Sequence, residues 1–188
     1  MAEVQPWAYH GTDHFRQRRA TFVPPRIGGT DVVRLHLGCG EKKFRDYINI
    51  DGFGNPDVIA DITALPYAPE TADEIMAIHV FEHFFPHDVS DILKKWREIL
   101  KPEGKLILEM PDLQKVLEFF KKDEISLPHT MYALYGRVWR KDITEVHKWA
   151  WTFKTIEPIL KEAGYRDIVE KLAEYHYRER DFRVEALK

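Results

Sequence analysis

Short, mostly apolar runs, several of which end at a glycine or an aspartate, restrict the fold of this chain more than any other feature. Five such runs lie at residues 32–37, 47–51, 57–61, 74–79 and 105–110. Their apolar residues do not alternate strictly with polar ones, as expected for strands that are covered on both faces. Helical patterns lie between and after them, so the sequence predicts an α/β fold with a doubly wound, mostly parallel sheet.

The helices are predicted from apolar residues spaced three and four positions apart. This spacing predicts one helix that ends before Pro102 and a second that closes at residues 121–122. A last helix, over residues 153–163, is expected to end at Gly164 as a C-terminal cap. Residues 126–151 are rich in aromatic side chains and match neither period clearly.

Composition limits the class of protein. The chain has 188 residues, 44% hydrophobic and 31% charged, which is typical of one globular domain. Its net charge of −3 argues against nucleic-acid binding, which usually requires a basic face. The single cysteine, Cys39, cannot form an intrachain disulfide and fits a reducing compartment. We find no signal-peptide core and no apolar run of roughly 20 residues, so we expect a cytoplasmic protein without a membrane span.

The domain organisation follows from where the periodic pattern begins. Residues 1–31 form an irregular N-terminal arm, and residues 32–188 form the ligand-binding domain. The arm carries five aromatic or histidine side chains, which suit a lid over a ligand: Trp7, Tyr9, His10, His14 and Phe15. A disordered tail is the alternative, and the sequence leaves both open.

Three consecutive strand ends carry residues that suit a nucleoside. The turn Gly38–Gly40 follows the first strand, where glycines let the backbone approach a ligand. Asp51 ends the second strand and can accept two hydrogen bonds from a ribose diol. Asp61 ends the third strand, and Ile62 beside it suits an adenine ring. Ligands of doubly wound sheets bind beyond the carboxyl ends of the strands, so the three features together predict a nucleoside site, although each alone could be a turn or cap.

A dinucleotide site, as in a nucleotide-dependent oxidoreductase, is the main alternative. Its fingerprint is G-x-G-x-x-G with an acidic residue about 20 positions further on. Here the third glycine is replaced by Lys43, and Asp51 follows Gly40 by only 11 residues. The pyrophosphate-binding part of the fingerprint is therefore missing.

Four segments resemble motifs of the class I S-adenosylmethionine (SAM)-dependent methyltransferases, in particular small bacterial type-11-like members. They are L-H-L-G-C-G at 35–40, D-I-T-A-L-P-Y at 61–67, H-V-F-E-H at 79–83 and L-K-P-E-G-K-L at 100–106. The resemblance covers about residues 32–112. It implies a Rossmann-like sheet of about seven strands whose last strand is antiparallel, with the two β-like stretches near 166–170 and 182–186 completing it.

The resemblance also implies SAM as cofactor and assigns roles to individual residues. Asp51 would hold the ribose hydroxyls, Asp61 the adenine amino group, and His79 would stand near the reactive end. The full set of implied cofactor contacts is His36, Gly38, Cys39, Gly40, Asp51, Asp61, Ile62 and His79.

Two departures from the family pattern stand out. His36 occupies a position that is usually acidic, so the SAM ammonium group would be handled differently. The segment 41–47 has room for at most about two helical turns, so the usual first helix is shortened. This opens one side of the cofactor site or leaves it to the N-terminal arm.

Two histidines are candidate catalytic residues because histidine exchanges protons near neutral pH. His79 is the first candidate for a general base and His147 the second, with a structural histidine as the alternative for each. His79, Glu82 and His83 lie within five residues but lack the helical H-E-x-x-H spacing, so we predict no metal site.

The acceptor is restricted only broadly. A compact chain without a basic surface favours a small-molecule or saccharide acceptor. Several aromatic side chains could form its pocket or simply cover the sheet edge: Tyr132, Tyr135, Trp139, Trp149 and Trp151. A SAM-binding protein without transferase activity is the alternative that the departure at His36 fits. The sequence does not indicate the oligomeric state.

Overall fold

The computed structural model describes residues 32–122, 124, 126–138 and 143–188, so the predicted arm lies outside the described residues. The strands are β1 (Arg34–Leu37), β2 (Ile48–Asp51), β3 (Val58–Ile59), β4 (Ala72–Ile78), β5 (Leu100–Pro111), β6 (Arg166–Leu172) and β7 (Asp181–Leu187). The helices are α1 (Pro86–Ile99), α2 (Leu113–Lys121), α3 (Leu127–Tyr135) and α4 (Phe153–Glu162). Single 3₁₀ turns lie at Phe81–His83 and Ile143–Glu145.

All seven described strands form one sheet, in the order β3-β2-β1-β4-β5-β7-β6. The first five strands run parallel, whereas β7 is antiparallel to both β5 and β6. This arrangement confirms the predicted Rossmann-like sheet with an antiparallel last strand. Strand order reverses between β1 and β4, and ligands of such sheets bind at this switch point.

The helices pack on the sheet through the predicted apolar faces. Helix α1 begins at Pro86 and buries five side chains, which are Val89, Ile92, Leu93, Trp96 and Ile99. Helix α4 begins with a capping box in which Thr152 and Thr155 exchange hydrogen bonds. Gly164 follows this helix with a φ of +91°, as a C-terminal cap requires. None of the described helices is long and apolar enough to cross a membrane.

Some boundaries differ from those predicted. Strand β3, at the sheet edge, is shorter than the predicted run 57–61. Only Val58 and Ile59 pair with β2. Strand β5 begins at Leu100 rather than at residue 105, because Leu100 pairs with Ala72 of β4 ahead of a register shift. The unassigned stretch contains α3, and residues 41–47 form turns rather than a shortened helix.

Candidate active site

The glycine turn after β1 is fixed between β2 and β4. Gly38 N and Cys39 N both donate to Ile50 O, at 2.8 and 3.2 Å. Gly38 has a φ of +66°, and a side chain there would overlap Val80, just beyond β4. A side chain on Gly40 would meet no atom of the described residues within 4 Å.

Asp51 links the second strand end to the first. Its Oδ2 accepts a hydrogen bond from Gly40 N at 2.8 Å, and its Oδ1 accepts one from Phe53 N at 3.1 Å. Ala60 N donates to Asp51 O at 3.0 Å, which holds the end of β3 next to it. Each carboxylate oxygen has two lone pairs, so both keep capacity for a ligand hydroxyl.

The third strand end is a polar turn that rests on α1. Asp61 Oδ1 accepts from Thr63 N at 2.9 Å and from Thr63 Oγ1 at 2.7 Å. Ile62 packs partly buried against the core, and Trp96 Nε1 donates to Ile62 O at 2.7 Å. The structure therefore brings all three predicted strand-end features to the same edge of the sheet.

His36 is enclosed by protein rather than facing solvent. Its side chain is buried, and its ring packs edge-on against Phe44 at 4.8 Å between centroids. Its Nδ1 lies 3.0 Å from Asn49 Oδ1, while the Asn49 amide group donates to Phe44 O, Tyr47 O and Asp57 Oδ2. Nδ1 is therefore the donor of the pair, and burial lowers the pKa of His36. His36 is therefore uncharged and buried, and it packs inside the protein next to the glycine turn that follows β1.

His79, directly after β4, lies between two carboxylates. Its φ is +54°, and His79 Nε2 lies 2.9 Å from Asp181 Oδ2. On the other side His79 Nδ1 lies 3.1 Å from Glu82 Oε1. Burial alone would lower the pKa of His79, but the two carboxylates raise it to about 10. The expected role of His79 as a general base does not fit this environment, because its proton is retained at neutral pH.

Asp181, at the start of β7, is a site residue that the sequence analysis missed. It accepts from Arg180 Nε at 2.6 Å and from Tyr177 N at 3.2 Å, and His176 Nδ1 lies 3.4 Å away. Burial opposes its ionisation, yet the bonds from His176, His79 and Arg180 hold the pKa of Asp181 far below its usual range. It remains a carboxylate throughout the physiological range.

Glu109, near the end of β5, is a second missed residue. Its carboxylate accepts from three consecutive backbone amides, Glu174 N, Tyr175 N and His176 N, at 2.8, 2.9 and 3.1 Å. These bonds hold the loop between β6 and β7 over the strand ends, where His176 contacts the His79 ring at 4.3 Å between centroids. An acidic residue at the end of an otherwise apolar strand is the sequence signal that could have revealed it.

His147 lies near the same Glu82 carboxylate oxygen that His79 contacts. Its Nδ1 donates to Ala133 O at 3.0 Å, and its Nε2 lies 4.0 Å from Glu82 Oε1. Burial lowers the pKa of His147, so Nε2 carries a free lone pair at neutral pH. Lys148 N donates to Glu82 O, which ties this segment to the one after β4.

The aromatic residues divide between core and rim. Trp151 is buried, and its Nε1 donates to Phe81 O at 3.1 Å. Tyr135 and Trp149 are about half exposed, whereas Trp139 lies outside the described residues. The pocket interpretation therefore does not hold for Trp151, which is part of the core.

Comparison with known proteins finds a match to one protein family over part of the chain. A family model described as "Methyltransferase domain" matches residues 41–108. The highly reducing polyketide synthase rstn3 of Aspergillus nomiae is 33% identical over 79 residues, which are 42% of this chain and 3% of the synthase. The chain thus spans only a small fraction of that relative's length.

Solved structures agree on the fold. A SAM-dependent methyltransferase of Archaeoglobus fulgidus has a TM-score of 0.57 at 18% identity, covering 84% of this chain and 86% of its own. One from Mesorhizobium loti has a TM-score of 0.57 at 15% identity, covering 88% and 94%. Residues 41–108 match the methyltransferase-domain family, and the described residues have the fold of SAM-dependent methyltransferases.

The glycine turn lies where the strand order reverses, and Asp51 and the Asp61–Ile62 pair follow the next two strands at the same edge of the sheet. Phe53 was missed by the sequence analysis, although it lies two residues beyond Asp51 and is 66% exposed. An exposed aromatic ring beside a carboxylate is suited to stack on a nucleobase. Its signal was its position directly after an acidic strand end.

Proposed function

We propose that this chain is a SAM-dependent methyltransferase that acts on a small-molecule or saccharide acceptor. The observation that carries the proposal is the alignment of three features at the carboxyl ends of the neighbouring strands β1, β2 and β3: the glycine turn, the Asp51 carboxylate, which can accept further hydrogen bonds, and the Asp61–Ile62 turn. These features match a nucleoside with a short charged tail: the tail would lie along the backbone of the turn, the ribose at the carboxylate and the base against the apolar side chain.

The residues present fit SAM. Among the described residues nothing crowds Gly40, so the methionine part would lie along the backbone of Gly38–Gly40, with Cys39 between them. Asp51 would accept from the ribose hydroxyls with the lone pairs that Gly40 and Phe53 leave free. Asp61 would accept from the adenine amino group, with Ile62 against the ring. His36 would support the turn from below without touching an ammonium group.

When bound, SAM supplies a methyl group on a positively charged sulfur, and transfer to the acceptor's lone pair leaves the electron pair of the broken bond on that sulfur. The chain's own residues must align the acceptor with this bond and exclude water. His79 is proposed to stand beside the reacting groups, oriented by Asp181 and Glu82 from both sides. His147 is proposed to lie on the acceptor side, with its Nε2 directed toward Glu82.

Three partly exposed aromatic side chains lie on the proposed acceptor side of the site. His176 and Tyr177, in the loop held by Glu109, are 40% and 55% exposed, and Trp149 is 49% exposed. Rings with a polar edge bind sugars and other ring compounds well. The matched synthases make polyketides, which supports a small molecule rather than a macromolecule as acceptor.

Two measurements test the proposal. Calorimetry should detect binding of SAM or its demethylated product, S-adenosylhomocysteine, and none of NAD. A screen with radiolabelled SAM against sugars, phenols and small acids should then find a methylated product. Binding of NAD without SAM would overturn the cofactor assignment, and SAM binding without any methylated acceptor would favour a non-catalytic SAM-binding protein.

A further inference from the structure

Glu82, His83 and His147 converge beside the proposed acceptor site. One ligating atom from each of the three lies within 4.8 Å of the others. Glu82 and His83 belong to the 3₁₀ turn after β4, whereas His147 lies 64 residues further along the chain. Lys148 N and Trp149 N donate to Glu82 O at 2.7 and 3.2 Å, which fixes His147 against this turn.

In both histidines Nδ1 is held by a backbone carbonyl. His147 Nδ1 is bound to Ala133 O at 3.0 Å, and His83 Nδ1 to Val146 O at 3.2 Å. A carbonyl can only accept, so both Nδ1 atoms carry a hydrogen, and the neutral form of each ring has its lone pair on Nε2. A ring nitrogen held by a backbone carbonyl, with the other nitrogen free, is the usual arrangement of metal-binding histidines.

The Glu82 carboxylate supplies an independent observation. Its side chain is only 2% exposed, yet within the described part of the chain neither of its carboxylate oxygens has a hydrogen-bonding partner of good geometry. The 3.1 Å contact with His79 Nδ1 is an ion pair at one oxygen, and His147 Nε2 is too distant to donate at 4.0 Å. A buried charged group without hydrogen bonds is costly, and coordination of a cation removes that cost.

We propose that Glu82, His83 and His147 bind one divalent transition-metal ion of the Zn²⁺ or Mn²⁺ type. Two imidazole nitrogens and one carboxylate form a mixed donor set that such ions favour over Ca²⁺, and three protein ligands leave coordination positions for water or an acceptor oxygen. This reverses the prediction of no metal site, which considered only helical H-E-x-x-H spacing. The third ligand comes from a distant segment, and only the fold brings it near.

A second cluster, His79, His176 and Asp181, is a weaker candidate. Its atoms also lie within 4.8 Å of one another. Asp181 already accepts from Arg180 Nε and Tyr177 N as well as from His79. A cation there would have to displace these donors and would lie beside the Arg180 guanidinium.

The location suggests what the ion does. His79, proposed to stand beside the reacting groups, contacts Glu82 directly. An ion on Glu82 would bind a hydroxyl or carboxylate of the acceptor and, with a hydroxyl, favour loss of its proton to water before methyl transfer. This use rests on the proposed function, whereas metal binding itself does not.

Metal titration tests the proposal without any activity assay. Untagged protein is dialysed against EDTA and then against chelator-free buffer, and Zn²⁺, Mn²⁺ and Mg²⁺ are titrated by calorimetry. We expect about one equivalent of Zn²⁺ or Mn²⁺ and much weaker Mg²⁺ binding. The Glu82→Gln and His147→Ala variants should each weaken binding at least tenfold.

Two control variants locate the ion. His87→Ala removes a histidine that is 76% exposed and outside the cluster, and His176→Ala removes a ligand of the second cluster. Both should bind metal as the parent does. Loss of binding in His176→Ala alone would move the site to the second cluster, and full binding in Glu82→Gln would equally overturn the proposal.

Cobalt supplies a measurement that needs no variant. Co²⁺ added to the metal-free parent protein should produce the visible absorption of a four- or five-coordinate site, and Zn²⁺ should abolish it. Absence of this spectrum would overturn the proposal even if His147→Ala failed to fold. S-adenosylhomocysteine binding is measured in parallel, so that failure of the proposed function is seen separately from failure of the metal site.

Discussion

Phe44 packs edge-to-face against Tyr175, with 5.0 Å between the ring centroids. Lys42 Nζ donates to Tyr175 O at 2.9 Å and lies over both rings. The two segments that meet here are the turns after β1, where a first helix is expected, and the loop between β6 and β7. The loop thus covers a side of the sheet that the missing helix leaves open.

The variant Tyr175→Ala should uncover this side. Loss of the aromatic pair is expected to lower the free energy of unfolding by about 1 kcal/mol or more, and S-adenosylhomocysteine binding should weaken because the glycine turn loses support. Tyr175→Phe is the matched control, since it keeps the ring against Phe44. Urea unfolding and calorimetry measure the two effects, and equal behaviour of Ala and Phe variants would show that the ring contact is unimportant.

The variant Gly38→Ala should be strongly destabilising. The added methyl group would overlap Val80, and the alanine would have to adopt a φ of +66°. A loss of about 2–4 kcal/mol in the free energy of unfolding is therefore expected. Gly40→Ala isolates the backbone strain, because its φ is +52° and no atom of the described part of the chain lies within 4 Å of the new methyl group. It should cost only about 1–2 kcal/mol. Similar losses in both variants would contradict the packing against Val80.

The variant Asp51→Asn tests the ribose contact. It keeps an oxygen for Gly40 N but removes the charge that strengthens hydrogen bonds to a diol. We expect the dissociation constant of S-adenosylhomocysteine to rise at least tenfold, about 1.4 kcal/mol. Asp91→Asn, at an exposed position of α1, is the control and should bind as the parent does. Unchanged affinity in Asp51→Asn would remove this residue from the cofactor site.

Cys39 should react slowly with alkylating reagents. Burial, with Asp51 and Asp57 nearby, raises the pKa of its thiol to about 11. Only about one thiol in a thousand is then ionised at pH 8, and the thiolate is the reactive form. We expect iodoacetamide labelling at pH 8 to be slow in the folded protein and fast in urea. Rapid labelling of the folded protein would show that the turn opens readily.

The raised pKa of the Cys39 thiol also predicts that the free energy of unfolding depends on pH. Because the folded-state pKa of Cys39 lies above that of the unfolded chain, the folded state binds the proton more tightly. This contribution is fully present below the unfolded value, about 8.5, and is lost as the pH rises toward 11. Cys39→Ala should therefore lose less stability than the parent between pH 8.5 and 10.5 in urea unfolding.

Local sequence signals predicted the order of strands and helices well, because each element carries its own apolar period and its own stop residue. Gly164 and the strand-end residues Asp51 and Asp61 are examples. The contacts of His79 were not predictable in this way, since Asp181 lies 102 residues away and only the antiparallel β7 brings it near. The partners of a histidine decide whether it donates or accepts a proton, so the role expected for His79 depended on information that its neighbours in the chain do not contain.

Three consecutive amide hydrogens of the β6–β7 loop converge on the Glu109 carboxylate, 65 residues earlier in the chain. The backbone conformation of residues 174–176 thus depends on a side chain of the sheet as well as on the loop's own residues. Grafting residues 173–180 onto another scaffold would transfer the side chains without their arrangement unless an acidic residue were supplied at the equivalent strand end. Conversely, loop libraries built on this chain can vary the exposed Tyr177 while Glu109 preserves the backbone of residues 174–176, which makes the loop a practical place to alter acceptor choice.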